Sequence, residues 1–204
     1  PRKGVAALSN ALAARVKNIT YRTQVDTVEN GTVHTSAGTF TANKVVIATD
    51  ATTATQILGL PEVPRMAGCI TWYHAVDSNP SGTGRLVVDG QNRGPIINTI
   101  VVSDISADYA PVGSHLLSTT TELGATESDV RRQLSIIWGT STHDWQLIAK
   151  YEIPAALPIQ SIGRALTQSV KISDDLFVIG DHRAVPSQQG ALFSGRLAAE
   201  LILN

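Results

Sequence analysis

Gly180-Asp181, Gly190-Ala191 and Ser194-Gly195 are the residues in this sequence whose types and spacing could do chemistry. A carboxylate such as that of Asp181 can accept hydrogen bonds from the hydroxyls of a ribose-like chain. A helix start near Gly190 offers free N–H groups and a partial positive charge, which suit a phosphate or the polar edge of a ring. The elements that must position these groups can be read on either side. Leu176–Ile179 is apolar, too short for a buried helix and rich in strand formers, so it predicts a buried strand that Gly180-Asp181 ends. A loop with Pro186, Ser187, Gln188 and Gln189 follows. From Gly190 the pattern is helical, with Leu192, Leu197, Leu201 and Ile202 apolar, while Ala191, Gly195, Ala198 and Ala199 give a small-residue face. Ligands in open α/β sheets bind at the carboxyl ends of strands. The plainer alternative is an ordinary strand–loop–helix connection with a solvated Asp181, and the residues alone leave both open.

Other reactive residues carry less. Ser141, His143 and Asp144 lie in one short segment, which cannot by itself build a catalytic triad. The histidines at 34, 74, 115, 143 and 182 have no metal-ligand spacing, so no metal is expected. His182, next to Asp181, belongs either to the site or to the surface. No residue is marked as a general base. Cys69 is the single cysteine and reads as a small buried hydrophobe.

The 204 residues, 43% hydrophobic and 16% charged, predict a globular core in one large domain or two lobes. Sixteen basic and seventeen acidic residues leave a net charge of −1, which gives nucleic acid no basic surface to bind. No apolar run reaches the roughly 20 residues that span a bilayer as a helix.

Along the chain, Val5, Leu8, Leu12 and Val16 predict a first helix over Gly4–Lys17. Thr20–Glu29, Thr32–Ser36 and Thr39–Ala42, with Asn30-Gly31 and Ala37-Gly38 between them, predict a three-stranded meander. Lys44–Thr49 predicts a buried strand and Ala51–Leu60 a short helix. Pro61 and Pro64 mark a boundary. Beyond it, Cys69–Val76, Arg85–Asp89, Ile96–Val102 and His115–Thr121 read as strands. Thr126 and Asp129 form a variant capping box before a helix carrying Val130, Leu134, Ile137 and Trp138. Trp145–Ile153 reads as a strand stopped by Pro154.

The C-terminal stretch, with Gly180-Asp181, Gly190-Ala191, Ser194-Gly195 and Ala198-Ala199 in register, resembles the FAD motif of the flavin-containing amine oxidase, protoporphyrinogen oxidase and phytoene desaturase superfamily. The N-terminal block, from ALSNALAARV to the strand ending in Ala48-Thr49-Asp50, is similar to the same family. The resemblance implies that Gly180-Asp181 meets the ribityl chain of FAD, the Gly190-Ala191 backbone its pyrimidine edge, and the Val25 backbone the adenine. It also implies that Pro154 and Pro158 shape a wall near the isoalloxazine. The fold implied is α+β, with residues 1–55 and 170–204 as part of an FAD-binding lobe and 56–169 as a mostly antiparallel substrate lobe with helices on one face. The implied activity is FAD-dependent oxidation of a C–N or C–C bond in a hydrophobic small molecule. No Gly-x-Gly-x-x-Gly follows a strand, so the chain reads as a C-terminal piece whose partner is the missing Rossmann half. Alone, it is expected to be inactive, to retain no FAD, and to self-associate through the KVVIAT strand and the Gly190–Leu203 helix. A cytoplasmic location is expected. The rival is a self-sufficient, non-catalytic domain that binds a ligand or partner.

Overall fold

In the computed structural model, which describes residues 1–2, 4–60 and 64–204, Asn30 and Gly31 take φ values of 50° and 73°. Two successive left-handed residues give the turn that matches the twist of paired strands. Strand β1 (Val25–Glu29) therefore folds back on β2 (Thr32–Thr35), and β3 (Gly38–Thr41) completes an antiparallel meander. The predicted meander is present, although Thr20–Gln24 stays outside β1. Strand β4 (Val45–Ile47) leads into helix α2 (Ala51–Ile57) and pairs in parallel with β9 (Leu176–Val178) from the far end of the sequence. Helix α4 (Gln188–Leu203) follows β9. Val28, Ile47, Ala54, Ile57 and Val178 form one core here, and Val170, Phe177 and Ala198 form another beneath α4.

These elements belong to one of two units, Ile19–Ala67 with Leu157–Asn204. The other unit is Pro1–Asn18 with Gly68–Ala156. Its sheet runs in the order β6 (Ile96–Val101), β7 (His115–Thr121), β5 (Met66–Val76), β8 (Gln146–Pro158). The β5–β7 and β6–β7 pairs are antiparallel. Alternation buries one face: Ile70, Trp72, His74 and Val76 of β5 lie beside Leu117, Thr119 and Thr121 of β7. Val130 and Leu134 of helix α3 (Glu127–Trp138) share that core. Its buried hydroxyls are paired, Trp72 Nε1 donating to Thr121 Oγ1 at 3.0 Å and Thr99 meeting Thr119 at 2.9 Å. Thr126 caps α3, its Oγ1 accepting from the Asp129 N–H at 3.2 Å.

The chain is α+β, as the sequence predicts. Several expectations change in detail. The first helix, α1, spans only Ala6–Ala13; Val5, Leu8, Leu12 and Val16 are 43% to 64% exposed, so among the described residues nothing anchors a longer apolar stripe. The Arg85–Asp89 strand shrinks to a bridge between Val87 and Thr99. Strand β8 does not stop at Pro154 but continues to Pro158, because it lies at the sheet edge, where a residue without an N–H is tolerated. Cys69 is half-buried. The two units divide after residues 18, 67 and 156, whereas the expected lobes divide after 55 and 169. Pro61 lies outside the described residues, and Pro64 stands just before β5. Among the described residues no helix is long and apolar enough to cross a membrane.

Candidate functional site at the ends of two parallel strands

The β4–β9 pair fixes where the candidate residues meet. Ile179 N donates to Ile47 O at 2.9 Å, so Ala48-Thr49-Asp50 and Ile179-Gly180-Asp181 leave the sheet side by side, at its carboxyl end. Asp50 then turns inward as the cap of α2. Its Oδ1 accepts from the Thr52 and Thr53 N–H groups at 3.0 and 3.1 Å, and its Oδ2 from Thr53 Oγ1 at 2.6 Å. Those bonds, led by the Thr53 hydroxyl, hold its carboxyl below the usual carboxylate range. Asp181 opens a 3-10 turn, Asp181–Arg183, and its carboxylate has no hydrogen bond to a described residue. Asp50 is thus a structural cap and Asp181 an acceptor with spare capacity.

Gly180 is required by two features. Its φ is +148°, in the region that L side chains avoid, and a Cβ there would stand 2.6 Å from the ring of His182. Its N–H donates to Ser194 Oγ at 2.9 Å, and that hydroxyl donates to Ala191 O at 2.8 Å. Ser194 therefore ties the end of β9 to the first turn of α4 and brings Gly180 and Ala191 together. Gly190 lies where a Cβ would be 1.9 Å from Val185 O. Its N–H goes to Ser187 Oγ at 3.0 Å, and Ala191 N–H goes to Ser187 O at 3.0 Å. The space freed at Gly190 is filled by the chain's own loop, and both backbone donors are engaged. At the start of α4 the N–H groups with no carbonyl a turn behind them are those of Gln188 and Gln189. Val25 packs against the core containing Ile47 and Val178, which places β1 on the same strands that carry the site. The helix packs through Gly190, Ser194 and Ala198, with Ala191, Gly195, Leu197 and Ile202 partly buried as the sequence predicts, whereas Leu192, Leu201 and Ala199, also read as part of these faces, are exposed.

A cavity of about 360 Å³ opens beside the helix start, lined by Leu166, Thr167, Ala184, Val185, Gly190 and Phe193. His182 is 7% exposed, and neither ring nitrogen has a partner among the described residues. Burial, then Arg183, pushes its pKa down. The sequence offers no signal for Arg164, which donates to His182 O at 3.3 Å, because it sits in a turn remote from the motif. Of the proposed wall, Pro154 is exposed and Pro158 buried. Ser141, His143 and Asp144 build no triad: His143 and Asp144 are 4.0 Å apart, with side chains 89% and 94% exposed. Among the described residues no group of three or more His, Cys, Asp or Glu could hold a metal ion.

The sequence profile described as "Flavin containing amine oxidoreductase" matches residues 1–203. No curated protein matches. Among solved structures, a putative protoporphyrinogen oxidase from Exiguobacterium sp. 255-15 is 17% identical with a TM-score of 0.76, covering 98% of this chain and 51% of its own. An oxidoreductase from Methanosarcina mazei is 14% identical with a TM-score of 0.66, covering 95% and 52%. A reduced UDP-galactopyranose mutase is 13% identical with a TM-score of 0.69, covering 88% and 46%. At these identities the likeness is one of fold. The chain spans about half the length of the structures it matches.

Proposed function

We propose that this chain, which belongs to the flavin containing amine oxidoreductase family, supplies the substrate lobe and the flavin-facing strand–loop–helix of an FAD-dependent oxidoreductase acting on a C–N or C–C bond. The observation that carries this reading is Asp181: an acceptor with no described partner, at the carboxyl end of a parallel strand, in the position the family's motif gives to the ribityl contact. FAD, when bound, supplies the capacity to accept a hydride. The residues here would bind and orient it. Asp181 would accept from the ribityl hydroxyls. Gly180, through Ser194, would hold Asp181 in place, and the Val25 backbone would flank the adenine. Gly190 and Ala191 would act by setting the position of the α4 start, since their own N–H groups are engaged.

The substrate surface we assign to the sheet of the other unit. Tyr73 and Tyr151 meet edge to face there, with centroids 6.1 Å apart. A cavity of about 400 Å³ nearby is lined by Ala75, Tyr109, Pro111, Leu116 and Ile148. Such a lining suits a hydrophobic small molecule. The pyrophosphate grip would come from a nucleotide-binding half, so residues 1–204 alone would bind FAD weakly, turn over nothing, and pair or self-associate through exposed side chains such as Val46, Leu192 and Leu201.

The test is flavin binding. In the protein with its nucleotide-binding half, Asp181→Ala should weaken FAD by about 1.5–3 kcal/mol, roughly ten- to a hundredfold. Gly190→Val should do more harm through its clash with Val185 O. Full flavin absorbance in both variants would place the flavin elsewhere. For residues 1–204 alone, calorimetry should find no sub-micromolar FAD binding.

A further inference from the structure

Arg164 and Arg183 come together beside Asp181. Arg164 Nη2 donates to His182 O at 3.3 Å, and Gln168 N donates to Arg183 O at 2.8 Å, so the 164–168 segment runs along the 182–183 peptides. Both arginines are half-buried. Among the described residues neither is within 4 Å of a carboxylate, unlike Arg2, Arg93, Arg131, Arg132 and Arg196, which are all paired. The remaining arginines, at 15, 22, 65 and 85, have no ion pair among the described residues but are exposed to water. Among the described residues, Arg183 Nε is fully buried with no acceptor, and the two His182 ring nitrogens are likewise buried and without partners. Of the nearby carboxylates, that of Asp50 is occupied by Thr52 and Thr53, and that of Asp181 makes no hydrogen bond or ion pair with either guanidinium among the described residues. Two neighbouring, half-buried guanidiniums with no carboxylate in direct contact are costly to hold together unless an anion joins them. Burial and the neighbouring Arg164 both push the Arg183 guanidinium below its ordinary pKa, as such an arrangement requires.

We propose that Arg164 and Arg183, with His182, form an oxyanion site that takes a carboxylate or phosphate group of a small molecule. The paired guanidinium forks suit the two oxygens of either group. The inference goes beyond the flavin reading and does not depend on it, since the probes below contain no flavin.

The experiment is a calorimetric titration of residues 1–204 with sodium phosphate, pyrophosphate and acetate, sodium chloride holding ionic strength constant. Saturable binding of at least one is expected. It should weaken about tenfold or more in Arg164→Gln and in Arg183→Gln, less in Arg183→Lys, and not at all in Arg196→Gln, whose side chain is exposed and paired with Glu200. Preference for acetate would identify a carboxylate-bearing ligand, and preference for phosphate or pyrophosphate a phosphorylated one. In parallel, the Arg183 Nε–H resonance of the unaltered chain should shift along the same isotherm. An unmoved resonance, no saturable binding, or undiminished binding in the glutamine variants would overturn the proposal.

Discussion

At the residue scale, His74 is the most consequential side chain outside the candidate site. It is fully buried in the α3-covered core, 6.2 Å from Trp145 between ring centroids, and neither ring nitrogen has a partner among the described residues. Burial, and secondarily Arg131, pushes its pKa down to about 4 from the usual 6.5. Folding therefore favours the neutral ring. The contribution is fully present above pH 6.5 and is lost as pH falls from 6.5 through about 4, on the order of 3 kcal/mol in all. Denaturant unfolding across that range should show the loss, and His74→Phe, which forfeits no hydrogen bond, should flatten it. Gly180→Ala is the second test. Its strained φ and the 2.6 Å approach to the His182 ring should cost on the order of 1–3 kcal/mol in the same assay.

At the scale of elements, helix α3 depends on two polar side chains. Thr126→Ala removes the hydroxyl that accepts from Asp129 N–H and should cost about 1 kcal/mol. Gln133 is 1% exposed; its Oε1 accepts from Ile96 N at 2.8 Å, and its Nε2 donates to Asp89 at 2.9 Å. Gln133→Leu strands the Ile96 N–H and should cost roughly 1–3 kcal/mol, read as a lowered unfolding midpoint with an unchanged slope. The cap was legible in the sequence because it is local: Thr126 and Asp129 are one helical turn apart. So was the Asn30-Gly31 hairpin, where the dipeptide itself sets the turn. Gln133 was not legible, since a polar residue in a helix looks solvated until the strand it serves is placed against it. At the site, the Gly180-Asp181 and Gly190-Ala191 pattern was legible as the join between β9 and α4. Ser194 was singled out by its spacing, but its hydroxyl bond to Gly180 was not legible until β9 and α4 were packed together, and Arg164 as a neighbour depends on packing that no local spacing encodes. Pro154 misled for a related reason. A proline stops a strand only where its missing N–H is needed, and that depends on which side of β8 faces another strand.

At the scale of the whole molecule, the two units have separate cores, one around Trp72, Leu117 and Leu134, the others around Ile47, Val178 and Phe177. Leu134→Ala should cost roughly 2–5 kcal/mol, and hydrogen exchange should rise at Val101 and Leu117 while Phe177 and Val178 keep their protection. Equal acceleration in both sets would mean that the units open together. The β4–β9 pair carries a further consequence, for time rather than stability. Residues 45–47 wait for 176–178 before their ladder can close, whereas every strand of the other sheet lies between Met66 and Pro158. A ribosome delivers the chain from its first residue onward, and long-separated pairings form slowly. The sheet that would face substrate can thus close while the strand leading to Asp181 is still being made. All three tryptophans, at 72, 138 and 145, belong to that earlier unit, so their fluorescence is a clock for the first event and blind to the last.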